Sequence, residues 1–178
     1  MTAGKREIQL VLGAQCGDLQ ALEELLRSVQ GSLLGYISRL VGRADAEDIL
    51  QEVFLQVCRK LSWLRDPELF RPWIYRIASR ASFAHLKRKR RWSDNHDDEA
   101  AMEDLPAPMQ QDASRLAYEI PELLDKISPA SRAVLLLHYH HELTIEEVAA
   151  VLELNLGTVK SRLAYGLSCL RNLIERKG

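Results

Sequence analysis

Cysteine is scarce in this chain of 178 residues: Cys16, Cys58 and Cys169 are far apart and odd in number. That argues against a disulfide framework, and with no C-x-x-C pair it argues against a zinc site as well. Reduced thiols, buried or half-buried, are the expected state. No apolar run approaches the roughly twenty residues needed to span a bilayer. The N-terminus MTAGKREIQLVLGAQCGD lacks a signal-peptide pattern. A cytoplasmic protein without direct membrane insertion is expected. Alternation of apolar and polar residues with period two is missing throughout, so no strand is expected. A Gly-rich phosphate loop is missing too, as is a nucleophile beside a base. Neither an enzyme nor a cofactor is expected.

Net charge is also nearly absent, at −1, which by itself argues against nucleic acid. The charges are segregated, however. Lys87, Arg88, Lys89, Arg90 and Arg91 are contiguous, and Asp94, Asp97, Asp98, Glu99, Glu103 and Asp104 follow. A phosphate backbone meets such local patches, not the mean. The remaining composition, 47% hydrophobic and 28% charged, is that of a globular protein with one domain or two small ones.

What is present most clearly is Thr144 to Tyr165, TIEEVAAVLELNLGTVKSRLAY. Thr144 and Glu147 make a capping box, hydroxyl and carboxylate satisfying reciprocal backbone donors. Ile145, Val148, Ala149 and Leu152 then recur at helical spacing. Asn155 is a second N-cap, and Val159, Leu163, Leu167, Leu170 and Ile174 carry a second stripe. The few residues between leave room only for a tight corner, a helix-turn-helix. Ala149 is small where the helices should approach most closely. The second helix opens with Gly157, Thr158, Val159, Lys160, Ser161 and Arg162, short polar and basic groups that suit base edges and phosphates. A plain helical hairpin with Lys160 and Arg162 solvated fits the same pattern. Glu153 occupies the turn position that favours glycine. A Cβ in left-handed backbone costs roughly 1–2 kcal/mol, so a differently shaped turn is expected.

Earlier in the chain, Ile8 to Leu26 reads as helix, break, helix, with Asp18 an N-cap after Gly17. Leu33, Leu34, Ile37, Leu40 and Val41 continue the period to Gly42. In Asp45 to Leu61, Ala46, Ile49, Leu50, Val53, Phe54 and Val57 face a core. Asp48, Gln51 and Glu52 surround Leu55, an apolar residue in an acidic face. Periodicity alone favours a solvated face; the functional reading is docking of a basic protein partner. Asp66–Pro67 marks a loop after Trp63, and Pro72 fits the first turn of a helix from Arg71 to about Arg91. Ile74, Ile77, Ala78, Ala81 and His85 share one side of it. Trp73, Arg76, Arg80, Phe83, Lys87 and Arg91 share the other, at about 100° per residue. Rings that stack on bases among cations that take phosphates suit a nucleic-acid strand, unless Trp73 and Phe83 turn into the core.

Ser93 to Ser114 is acidic, holds Pro106 and Pro108 and has no apolar stripe, which predicts a flexible linker. Helix resumes over Leu116 to Ile127. Ser128–Pro129 is an N-cap with Pro at N1, opening another helix through Val134, Leu135 and Leu137. His138, His140 and His141 close it. Without a further ligand at metal spacing, they read as imidazoles favoured by the helix C-terminus, and no metal is expected.

In this order the segments resemble the extracytoplasmic-function (ECF) sigma factors of bacterial RNA polymerase, in the sigma-70 family. DAEDILQEVFL is similar to the family's polymerase-binding helix, and FRPWIYRIASRASFAHLKRKRR to its promoter-melting, minus-ten-reading segment. ISPASRAVLLLHYHHELTIEEVAAVLELNLGTVKSRL is similar to its minus-thirty-five-reading domain. The resemblance implies an all-α protein of two small helical domains, 1–92 and 115–178, joined by a flexible acidic linker over 93–114. It implies that Asp45, Asp48, Gln51, Glu52 and Leu55 dock on the clamp helices of the polymerase's largest subunit, and that the flap of the second-largest subunit is a further contact.

Trp63, Trp73, Arg76, Arg80, Phe83, Lys87, Arg88 and Arg91 would contact minus-ten DNA, the loop from Trp63 to Phe70 holding a base flipped from the non-template strand. Asn155, Thr158, Lys160, Ser161, Arg162 and Tyr165 would read the minus-thirty-five promoter DNA. The linker resembles the segment that threads the RNA exit path. An anti-sigma factor is implied as partner, and it can hold such a protein at the membrane. Arg80 stands where the family usually has Asn, Glu153 replaces the usual turn Gly, and Leu26 replaces an aromatic. No further domain is expected after Gly178, and sensing is expected elsewhere. Two rival readings are a self-contained helix-turn-helix regulator, which would bind duplex DNA tightly alone, and an RNA-binding adaptor. A-form RNA lacks the open major groove that Thr144 to Tyr165 suits.

Overall fold

The computed structural model describes residues 3–93 and 124–175, all helix and turn, with no strand among the described residues. They fall into two compact units. The predicted linker lies outside the described residues except for Ser93, which is the last residue of a helix. The helix predicted over 116–127 is described only from Leu124, which is helical; a turn follows at Asp125–Lys126.

In the N-terminal unit, α1 (Ala3–Gln15) stops before Gly17. Asp18 Oδ1 accepts from the N–H groups of Gln20 and Ala21 at 2.9 and 3.1 Å, opening α2 (Leu19–Val41). Ala21, Leu25, Val29, Leu33, Tyr36, Ile37 and Leu40 form its buried stripe, at the spacing a helix needs. A single residue, Gly42 at φ 93° and ψ 159°, turns the chain into α3 (Arg43–Lys60). Only glycine takes that backbone without strain. Short 3-10 turns at Leu61–Trp63 and Pro67–Leu69 lead into α4 (Phe70–Ser93), which runs two residues past the expected Arg91. Asp66 caps the second turn, its Oδ1 accepting from Glu68 N–H, with Pro67 in the first position.

The core of this unit is polar at one point. Ser79 Oγ donates to the Tyr75 carbonyl at 2.7 Å and meets the Tyr36 hydroxyl at 2.7 Å. Ser79 has one proton, already given to Tyr75, so Tyr36 donates to Ser79. The Tyr36 and Tyr75 rings pack edge to face at 5.4 Å. Burial pushes both phenols above their ordinary range, with the hydrogen bonds to Ser79 and Ser32 opposing. Leu26 is half-buried in α2.

In the C-terminal unit, Ser128 caps α5 (Pro129–Leu135) with Pro129 in its first turn. The buried Arg132 donates to Asp125 Oδ1 at 3.1 Å and to the Ile127 carbonyl at 3.0 Å, closing the preceding turn. Burial lowers its pKa and Asp125 opposes the shift. The helix ends in a π-turn, Leu136–His140, in which His141 N–H reaches the Leu136 carbonyl at 3.0 Å. His138 Nδ1 lies 2.8 Å from the Leu143 carbonyl, which only accepts, so Nδ1 carries the proton. Thus His138 fastens the turn to the strand of loop that follows. Two helices complete the unit, α6 (Ile145–Leu152) and α7 (Leu156–Glu175). Gly166 of α7 lies so close to α5 that a Cβ there would come 2.7 Å from Leu135 Cδ1.

The turn between α6 and α7 corrects one expectation. Glu153 takes left-handed backbone, φ 57° and ψ 43°, with its N–H directed to the Ala149 carbonyl. Leu154 N–H reaches the same carbonyl at 3.0 Å. The turn therefore has the shape that glycine normally supplies. Val148, Ala149, Val151 and Val159 are buried on either side of it. Their packing, with the two backbone bonds, offsets the roughly 1–2 kcal/mol that the Cβ costs.

Candidate polymerase and promoter interfaces

Helix α3 separates its residues cleanly by face. Ala46, Ile49, Leu50, Val53 and Val57 are buried and Phe54 is half-buried. Asp48, Gln51 and Glu52 are exposed, and Leu55 stands 57% exposed among them. An exposed apolar side chain thus shares a face with Asp48, Gln51 and Glu52, while the cations Arg59 and Lys60 lie in the last turn. Asp45 does not join this face. Its carboxylate is half-buried and lies 3.1 Å from His85 Nε2, tying α3 to α4.

On α4, Ile74, Ile77, Ala78 and Ala81 are buried as expected, and His85 is half-buried against Asp45. Arg80, Lys87, Arg88 and Arg91 are exposed. Trp73, Arg76 and Phe83 are half-buried, so the aromatic rings are neither lost in the core nor fully in solvent. Trp73 leans on buried Phe70, ring centres 6.2 Å apart. Trp73 is thus supported from the core while part of its ring stays reachable, an arrangement that suits stacking.

The segment before α4 is exposed at its tip and buried at its feet. Trp63 is 74% exposed and Leu69 is 50% exposed, whereas Leu61, Leu64 and Phe70 are buried. Leu69 was not singled out by sequence reasoning. Its only signal there is an apolar residue three positions after the predicted loop begins at Asp66.

Across the helix-turn-helix the capping box is complete: Thr144 Oγ1 accepts from Glu147 N–H at 3.1 Å, and Glu147 Oε2 accepts from Thr144 N–H at 2.8 Å. Asn155 Oδ1 accepts from Thr158 N–H at 2.7 Å, which caps α7 and leaves the amide NH2 as a donor. Lys160 and Ser161 are exposed, Thr158 and Arg162 half-buried, Tyr165 37% exposed. Ser161 Oγ donates to the Thr158 carbonyl at 3.0 Å. Leu156, which the helical stripes passed over, is 44% exposed in the first turn of α7 beside these groups.

Known proteins resemble this chain in two regions. Residues 25–92 match Sigma-70 region 2, and residues 123–172 match Sigma-70, region 4. The RNA polymerase sigma-H factor of Pseudomonas aeruginosa is 29% identical over 177 residues, covering 92% of this chain and 91% of that protein. The ECF RNA polymerase sigma factor SigE of Mycolicibacterium smegmatis is 31% identical over 169 residues, covering 90% of this chain and 65% of that protein. Among solved structures, the sigma factor RpoE from Bartonella quintana, in complex with the anti-sigma factor NepR, matches with a TM-score of 0.70 at 18% identity. That match covers 88% of this chain and 98% of the other, and it supports the fold alone. Two matched regions in the family's order, with relatives along nearly the whole chain, place the protein: it belongs to the sigma-70 family as an extracytoplasmic-function sigma factor, a transcription initiation factor and not an enzyme.

Proposed function

We propose that the chain works as two domains, 1–92 and 115–178, joined over 93–114, with three separate surfaces. Asp48, Gln51, Glu52 and Leu55 form the contact for the clamp helices of the polymerase's largest subunit, and Asp45, beside His85, stands apart from it. Trp63, Trp73, Arg76, Arg80, Phe83, Lys87, Arg88 and Arg91 take the minus-ten DNA, the rings stacking on unpaired bases and the cations neutralising phosphates. Asn155, Thr158, Lys160, Ser161, Arg162 and Tyr165 carry α7 into the minus-thirty-five major groove, where exposed Leu156 suits a thymine methyl. The observation that carries this reading is Leu55 exposed beside Asp48, Gln51 and Glu52 on α3, since a stand-alone DNA-binding regulator has no use for it.

Opening a promoter in this scheme is a binding reaction, in which stacking and phosphate contacts outweigh lost base pairing. A cytoplasmic location follows from the partners, and an anti-sigma factor is the expected regulator, as in the RpoE–NepR complex. The test is transcription from a promoter library by purified core polymerase, with this protein or its Asp48→Arg/Glu52→Arg variant. Protein-dependent starts that vanish with the variant support the assignment. Tight duplex binding by the protein alone, without starts, would overturn it.

A further inference from the structure

Helix α1 lies ahead of the region 2 match, which begins at residue 25, yet it grips the segment 61–70 at both ends. Gln15 Nε2 donates to the Leu61 carbonyl at 2.9 Å and to the Leu64 carbonyl at 2.7 Å. Both partners are acceptors, so only the nitrogen end of the amide fits there, and both its hydrogens are used. At the far end Glu7 meets Arg71 side-on, Oε1 to Nε at 3.1 Å and Oε2 to Nη2 at 2.9 Å. Glu7 is largely buried in this pair, with 15% of its side chain exposed. Between the two clasps, Leu64 N–H bonds to the Leu61 carbonyl, Leu69 N–H to Asp66 and Phe70 N–H to Pro67. Trp63, 74% exposed, thus lies between two buried residues whose carbonyls Gln15 holds.

From this geometry we propose that Gln15, with the Glu7–Arg71 pair, positions the Trp63–Phe70 loop for base capture, making α1 part of the specificity apparatus. The proposal rests on the reading that this loop receives the flipped base. A loop ordered in advance spends no binding energy on ordering when the base arrives. A loop held in one shape also cannot adapt to a wrong base, so the residues that hold it set discrimination between bases as well as affinity.

The experiment uses holoenzyme and a promoter chosen with the wild-type protein, presented as a pre-melted fork carrying each base in turn at every non-template minus-ten position. Gln15→Met keeps the side chain's length and removes both donors; Trp63→Ala removes the tip. Gln15→Met is expected to reduce discrimination about fivefold at the position that Trp63→Ala also affects. Core affinity and discrimination elsewhere stay within about twofold, as expected of distant independent sites. Glu7→Arg and Arg71→Glu singly are expected to weaken the same discrimination, and the double exchange to restore it. If Trp63→Ala abolishes discrimination while Gln15→Met leaves it intact, the positioning role falls and the loop reading stands. If neither variant alters it, the loop reading falls and the positioning role with it. Equal losses at all positions, together with a lowered unfolding temperature, reduce Gln15 to a structural residue and also overturn the proposal.

Discussion

Two single residues show how a local cost is carried by its surroundings. Glu153 holds left-handed backbone because the α6–α7 corner demands it. Glu153→Gly is therefore expected to stabilise the C-terminal unit by about 1 kcal/mol, the strain removed less the entropy that glycine adds to the unfolded chain. Thermal unfolding followed by circular dichroism checks it. Tyr36 tests burial in the other unit. Its phenol is raised above the ordinary value, so the folded state favours the protonated form. That contribution is fully present below the unfolded phenol's value of about 10 and is lost as pH climbs above it. Unfolding in urea at rising pH should show stability falling from about pH 10, and Tyr36→Phe should flatten the fall. At neutral pH the same variant is expected to cost about 1 kcal/mol, one buried hydrogen bond.

At the scale of elements, caps were legible because they are local. Asp18, Ser128, Thr144 and Asn155 each bond to a backbone N–H two or three residues on, as their spacing predicts. Asn155→Ala is expected to destabilise the C-terminal unit by about 1 kcal/mol and to fray the start of α7. Protection of the Thr158 amide from hydrogen exchange reads that directly. The end of α4 is a matter of charge. Replacing Lys87, Arg88 and Arg91 by Ala should weaken holoenzyme binding to promoter DNA at every sequence alike. The slope of log affinity against log salt should shrink by about two to three, one counterion per lost phosphate contact. An unchanged slope would remove these cations from the interface. What the elements concealed was their partners. Asp45 shares the acidic sequence of α3 but turns to His85, forty residues away in the chain, and no helical period announces that pair.

For the whole molecule, the decisive variant is one that separates folding from function. Asp48 and Glu52 are exposed, so Asp48→Arg/Glu52→Arg should leave stability within about 0.5 kcal/mol per site while removing core-dependent transcription. Loss of both together would point to a misread face. The all-helical class, the order of segments, the helix caps and the exposed acidic face with Leu55 followed from sequence alone, because period and capping act within a turn or two of chain. Only the tertiary structure decided that Glu153 bends left-handed and that Trp73 and Phe83 stay half-buried. It also decided that Gln15 and the Glu7–Arg71 pair hold the loop carrying Trp63. These depend on groups brought together across as many as 64 residues. Burial and directed hydrogen bonds between such groups exist once the helices have packed, and nothing in the local pattern encodes them.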